Sequence, residues 1–239
     1  MKRDADFAGF MGETVALVSD NLRFVAIYVL LVGGLNAAGL FLGLTAPAST
    51  GSGFQTSLGA MASFDAGLAG GLFSLGVGIV SIVAAYFLLS KLLESRGRLI
   101  DTDTRIWAYV GMMILSILGM MIGFLLLVIP GLILLVRWSA SSGFLIGGKR
   151  GVIESLGDSW DATRGKSWPI FFVGLVLFIG FSVISGTMLG VIGATGLNQG
   201  VMATSALINA FSSAVFYALG VAVYYLVQND EREIGAVFE

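Results

Sequence analysis

The chain has 239 residues, of which 56% are apolar and only 12% are charged. A soluble domain carries about 25% charged residues, so this chain lacks the side chains that would cover a water-exposed globule. The net charge of −2 argues against a nucleic-acid partner, which requires a strongly basic face. Without Cys and His, thiolate and imidazole chemistry is excluded, and we expect no catalytic, cofactor-binding or metal-binding residues.

The segment 1–21 predicts an amphipathic helix at the cytoplasmic surface. Its apolar residues recur at helical spacing, and they are Phe7, Phe10, Met11, Val15 and Val18. The acidic residues Asp6, Glu13 and Asp20 fall elsewhere around the helix, and acidic residues leave no uninterrupted apolar run for a signal peptide. Such a helix lies at the headgroup level with its apolar face down, or packs beneath the bundle.

Six stretches of the chain are candidates to cross a bilayer, because a transmembrane helix needs about 20 mostly apolar residues. They are 22–44, 68–89, 106–129, 131–147, 170–192 and 201–227. The sequence therefore predicts an all-α polytopic transmembrane bundle over 22–228, with 229–239 as a cytoplasmic tail.

The distribution of Lys and Arg predicts the orientation. With the N-terminus in the cytoplasm, the three outward loops hold no Lys or Arg, and Arg137 is the one basic residue inside the hydrocarbon. Both termini are then cytoplasmic.

A second cytoplasmic surface helix is predicted over 151–165. Its apolar face holds Val152, Ile153, Leu156 and Trp160, and Glu154, Asp158 and Asp161 lie on the opposite face. Gly165 is suited to the C-cap. The residues of this region that we single out are Ser159, Trp160, Arg164 and Trp168.

The pair Pro130 and Gly131 interrupts a long apolar stretch and predicts a helix break. One interpretation is a tight outward hairpin between the third and fourth spans. The alternative is a broken helix that lines a polar cavity. The pair Gly119 and Gly123, one of four Gly-x-x-x-Gly pairs, predicts close helix packing nearby.

Arg137 is the most informative single residue, since a charged side chain at the bilayer centre costs ~2.5–3.5 kcal/mol. We expect its guanidinium to point into the bundle, toward the outer half. Candidate partners are Asp65, Asn36 and Asn209, or nearby backbone carbonyls. The arrangement is either a structural tie between helices or a site for an anionic headgroup or solute.

The stretch from Leu125 to Trp168 resembles bacterial membrane proteins of the YciC type and the membrane domain attached to some glycerophosphodiester phosphodiesterases. The matching positions are Ile129, Pro130, Gly131, Arg137, Ser159, Thr163, Arg164, Gly165 and Trp168. The resemblance implies a multi-pass bacterial inner-membrane protein. It does not bring hydrolase activity, because that chemistry belongs to a fused soluble domain with catalytic histidines.

The expected function is that of a non-enzymatic membrane module that binds membrane lipids, another membrane protein or a second copy of itself. The alternative is a small-solute transporter or channel with a broken helix at Pro130 and Gly131. Ion pathways usually hold several intramembrane ionisable groups, whereas this sequence predicts one.

Overall fold

The structure, a computed structural model, describes residues 4–45, 67–99 and 105–238, and this part of the chain is helical and contains no strand. In chain order the helices are α1 (Phe7–Asp20), α2 (Leu22–Tyr28), a π-helical turn (Val29–Gly33), α3 (Gly34–Phe41), α4 (Gly67–Ser95), α5 (Ile106–Leu126), α6 (Val128–Arg137), α7 (Ser141–Ile146), α8 (Val152–Ala162), α9 (Ser167–Ala194) and α10 (Asn198–Phe238).

Six of the described helical segments are long and apolar enough to cross a membrane. They are Leu22–Phe41, Gly67–Ser95, Ile106–Leu126, Val128–Ile146, Ser167–Ala194 and Gln199–Asp230. The predicted all-α polytopic bundle is confirmed, and the chain is a membrane protein. Helix α10 continues to Phe238, through most of the segment 229–239 that the sequence predicted as a tail.

The chain divides into two compact units. The first consists of Met1–Asn21, Leu89–Leu175 and Tyr217–Glu239, and the second of Leu22–Leu88 and Val176–Phe216. Fully buried side chains in the first unit include Phe10, Leu17, Leu92, Leu93, Leu145, Val173, Val221 and Val227. The buried side chains of the second unit include Val25, Tyr28, Tyr86, Ala206 and Ala214.

Helix α1 forms where the sequence predicts it, but a different face is buried. Asp6 caps its N-terminus, and the Asp6 carboxylate accepts a hydrogen bond from the Gly9 amide at 2.7 Å. Phe10 and Leu17 are buried, and Glu13 is buried between them, whereas Val15 is exposed. The buried face of α1 is therefore rotated from the predicted apolar face. Glu13 can be buried because its carboxylate pairs with Arg96.

Helices α5 and α6 form a tight hairpin whose turn lies at Leu127, not at Pro130 and Gly131. Leu127 is extended, with φ −164° and ψ 151°. Pro130 and Gly131 lie inside α6, so the predicted break at these two residues is wrong. Pro130 is in the first turn of the helix, where a missing N–H leaves no intrahelical bond unmade. The hairpin interpretation fits this arrangement, because a Cβ on Gly123 would lie 3.1 Å from the Cα of Gly131.

Candidate functional site

The fourth membrane segment is interrupted after Arg137. Helix α6 ends there, and α7 begins at Ser141. Helix α10 passes close to this interruption, since a Cβ on Gly220 would lie 2.7 Å from the carbonyl oxygen of Ser139. The sequence gives no Gly or Pro signal at 138–140, so this break was not predicted.

Helix α8 closes the exposed end of α6 with reciprocal hydrogen bonds. The Ser159 hydroxyl donates to the carbonyl of Arg137 at 2.7 Å. The guanidinium of Arg137 donates through Nη1 to the carbonyl of Trp160 at 2.8 Å. The Thr163 hydroxyl lies 3.4 Å from the Arg137 carbonyl as well. Carbonyls at a helix C-terminus lack partners within the helix, so α8 supplies what the end of α6 needs.

The guanidinium of Arg137 also lies over the indole of Trp160, 5.0 Å from the ring centroid. Trp160 belongs to the helix that the sequence assigned to the inner surface. Arg137 therefore lies beside this helix, and its expected reach toward the outer half conflicts with the predicted position of the helix at the inner surface. The acceptor of Arg137, a backbone carbonyl, is nevertheless among the partners that were predicted for it from the sequence. Asp65 lies outside the described residues.

Asn36 and Asn209, the other predicted partners, belong to the second unit, whereas Arg137 belongs to the first. The Asn36 side chain donates to the carbonyl of Val32 at 2.8 Å. Val32 belongs to the π-helical turn, and such turns need additional donors for their carbonyls. The backbone carbonyl of Asn209 accepts from the Ser213 hydroxyl at 3.0 Å. The Asn36 amide therefore bonds within its own helical segment, to a carbonyl about one turn back along the chain.

The four residues singled out in and after α8 differ in exposure. Ser159 is fully buried, whereas Trp160, Arg164 and Trp168 are exposed. The Trp168 indole stacks on Phe172, with ring centroids 5.8 Å apart. Gly165 has φ +80° and lies three residues beyond the helix end, so it forms the following turn and is not the C-cap, which is Thr163.

The N-terminus of α8 is held by charged side chains. Glu154 accepts a hydrogen bond from the Gly151 amide at 3.1 Å and pairs with Arg150 at 2.7 Å. The backbone hydrogen bond is the main cause of a lowered pKa for Glu154, and the Arg150 charge adds to it. Arg150 also pairs with Asp158 at 3.0 Å. One face of α8 is therefore a small ionic network.

A second ionic cluster fastens α1 to the segment after α4. Arg96 donates to Glu13 at 2.5 Å and to Asp20 at 2.9 Å. Asn21 donates to the hydroxyl of Ser95 at 3.0 Å. Burial acts to lower the pKa of Arg96, but the bonds to the two carboxylates outweigh it, and the pKa is raised above its ordinary value. Acidic residues one to two turns apart on α1 were the available sequence signal for this pairing.

Ionic contacts also hold the end of α10, which is part of the first unit, to other segments of that unit. Lys166 pairs with Asp230, and Arg98 donates to Gln228 and Asn229. Together with the clusters around Arg150 and Arg96, these contacts place many of the charged side chains of the described residues in ion pairs. Within the described ranges, no group of three or more Asp or Glu residues could hold a metal ion.

No protein-family model, curated protein or solved structure matches the chain.

Proposed function

We propose that the protein is a non-enzymatic module of a bacterial inner membrane, with both termini in the cytoplasm, that binds membrane lipids. Another membrane protein or a second copy of the chain is a further partner that its exposed apolar helices can accept. The resemblance between residues 125–168 and the YciC-type proteins supports the same proposal. No cofactor or nucleic acid takes part in it.

The observation that supports this proposal most is the pattern of hydrogen bonds made by polar side chains in the apolar helices. Several donate to a carbonyl about one turn back in their own helix, and these are Asn36, Ser182, Thr187, Ser205 and Ser213. A solute pathway needs polar groups that face water or the solute. A polar group that is bonded to its own backbone does not need water and can therefore lie against lipid.

The transporter alternative has less support from the described residues. Its helix break at Pro130 is replaced by a continuous first turn of α6. The hydroxyl oxygens of Ser74 and Ser116 have no hydrogen-bond partner within the described part, and both oxygens are buried. The large side chains exposed along α9, such as Val183 and Val191, fit acyl chains or another helix instead.

Cysteine accessibility tests this proposal, because the chain contains no native Cys. We expect Asn36→Cys and Asn209→Cys to resist a membrane-impermeant thiol reagent added to either face of vesicles, since such reagents need water around the thiol. Val183→Cys, which is exposed in α9, is the matched lipid-facing control. Gly157→Cys is the positive control, since Gly157 is exposed and its Cβ meets open space.

Rapid labelling of Asn36→Cys or Asn209→Cys, with Val183→Cys still unreactive, would mean that water enters the bundle. That result would favour the transporter and defeat the proposal.

A further inference from the structure

Arg137 carries a permanent positive charge without a carboxylate partner in the described part of the chain. A guanidinium has five N–H donors. The structure gives it one neutral acceptor, the carbonyl of Trp160 at 2.8 Å, and the face of the Trp160 ring. The nearby Asp158 is already paired with Arg150. A charge at membrane depth with so few acceptors has unused capacity for an anion.

The local geometry places Arg137 at a boundary between lipid and polar groups. It follows the hairpin turn at Leu127 by ten residues, which is about 15 Å of helix. Helix α7 continues the segment, but all its residues except Ser142 are buried and meet no lipid. The lipid-facing surface of the fourth segment therefore ends at Arg137, after about half of a ~30 Å hydrocarbon core.

The surface around Arg137 has the two parts that a phospholipid requires. On the apolar side, Ile133 and Leu135 of α6 are exposed. On the polar side, the Arg137 guanidinium is half-buried, Trp160 is exposed, and Arg164 follows Thr163 with an exposed side chain. Arg164 has no ion pair with a carboxylate of the described segments. Asp161 is exposed nearby and limits the net positive charge, so strong attraction of a free anion is not expected.

We propose that Arg137 binds the phosphate of an anionic phospholipid headgroup, with the indole of Trp160 holding the guanidinium flat and Arg164 as a second cation. This site rests on the proposed lipid-binding function and gives it a location and a ligand class. A guanidinium binds phosphate through two parallel N–H···O bonds. The bond from Nη1 to the Trp160 carbonyl leaves other N–H donors for these two bonds. The acyl chains run along the exposed face of α6, and the headgroup is drawn inward to the level of α8.

Native mass spectrometry of delipidated protein in detergent tests the site, with phosphatidylglycerol and phosphatidylcholine as probes. We expect the protein to retain phosphatidylglycerol in preference to phosphatidylcholine. Arg137→Met should weaken phosphatidylglycerol binding by about ten-fold, the usual effect of losing a hydrogen-bonded charge. Arg164→Met should weaken it less. Arg23→Met is the matched control, because Arg23 is an exposed cation on α2, outside this site.

If Arg137→Met does not fold, Arg137→Lys replaces it, and we expect an intermediate loss because Lys keeps the charge but cannot bind bidentately. Equal binding by the Arg137 variants and the wild type would overturn the site while leaving the membrane module intact, provided that phosphatidylglycerol remains preferred. Displacement of phosphatidylglycerol by inorganic phosphate would identify a free phosphate ion as the ligand and overturn the lipid assignment. The accessibility of Asn36→Cys and Asn209→Cys tests the proposed function separately.

Discussion

Two glycines decide how closely α10 approaches the interrupted fourth segment. A Cβ on Gly143 would lie 2.4 Å from Cγ of Tyr224, and one on Gly220 would lie 2.7 Å from the carbonyl oxygen of Ser139. Tyr224 is nearly fully buried and its ring meets Phe144 edge-on, with centroids 4.9 Å apart. The missing side chains therefore let α10 contact the backbone at the break.

Gly220→Ala should destabilise the protein, because its methyl group meets a backbone oxygen that cannot rotate away. The expected cost is about 1–3 kcal/mol, which is typical of overpacking. The measurement is the thermal unfolding temperature in detergent. Gly174→Ala is the matched control, since Gly174 is also helical and its Cβ meets open space. An unfolding temperature for Gly220→Ala equal to that of Gly174→Ala would show that the break and α10 are not in close contact.

The sequence predicted some of these glycine contacts. The pair Gly119 and Gly123 does bring α5 close to α6, and a Cβ on Gly119 would lie 2.5 Å from the ring of Trp138. The pair Gly186 and Gly190 has the same spacing, yet a Cβ on either would meet nothing within 4 Å. Spacing places two glycines on one helix face, but it does not tell which helix lies opposite.

At the scale of elements, α8 holds the C-terminal end of α6 through hydrogen bonds. It donates a hydroxyl to the Arg137 carbonyl and accepts the guanidinium of the same residue on the carbonyl of Trp160. Hydrophobic spacing alone predicted that α8 exists, but the buried face differs from the predicted one, since Ser155 and Ser159 are fully buried whereas Ile153 and Trp160 are exposed. The contact with Arg137 depends on tertiary packing, so the sequence predicted a different direction for that side chain.

Ser159→Ala should weaken the contact between α8 and the end of α6, because Ser159 is fully buried and the Arg137 carbonyl loses the donor of its shortest hydrogen bond. The expected loss of unfolding free energy is about 1 kcal/mol. Ser182→Ala is the control, as the Ser182 hydroxyl is exposed and bonds to Phe178 in its own helix. Comparing the detergent unfolding of the two variants measures the difference. Equal stability would imply that α8 is held without this bond.

The N-terminus of α8 should loosen in acid. The pKa of Glu154 is lowered in the folded protein, so its stabilising contribution is present above its ordinary pKa of 4.5 and is lost as the pH falls through the lowered value. Glu154→Gln should remove this part of the acid dependence. Thermal unfolding of both proteins between about pH 6 and pH 3 gives the comparison. Parallel curves for the two proteins would contradict the role of Glu154.

At the scale of the whole molecule, six apolar helices account for the composition, since lipid replaces the charged surface that a soluble protein needs. This part of the fold follows from hydropathy and length, and each stretch predicted to cross the membrane overlaps one of the six long apolar helices of the structure. The π-helical turn at Val29–Gly33 and the break at 138–140 carry no such signal, because each depends on the helices packed beside it.

The orientation of the six helices is a prediction from the Lys and Arg distribution. Ala194→Cys should react with an impermeant thiol reagent in intact cells, because it lies at the exposed end of α9 in a segment predicted to face outward. Gly157→Cys on α8 should react only after permeabilisation. Labelling of Gly157→Cys alone would mean that the topology is inverted or that the fourth segment does not cross, and labelling of both in intact cells would mean that α9 does not cross.

A density map of the protein in nanodiscs that contain phosphatidylglycerol tests the central claim most directly. We expect a lipid phosphate within hydrogen-bonding distance of the Arg137 guanidinium, acyl chains along α6, and no continuous water-filled route through the bundle. An aqueous passage lined by Asn36 or Asn209, with protein groups alone around Arg137, would contradict it.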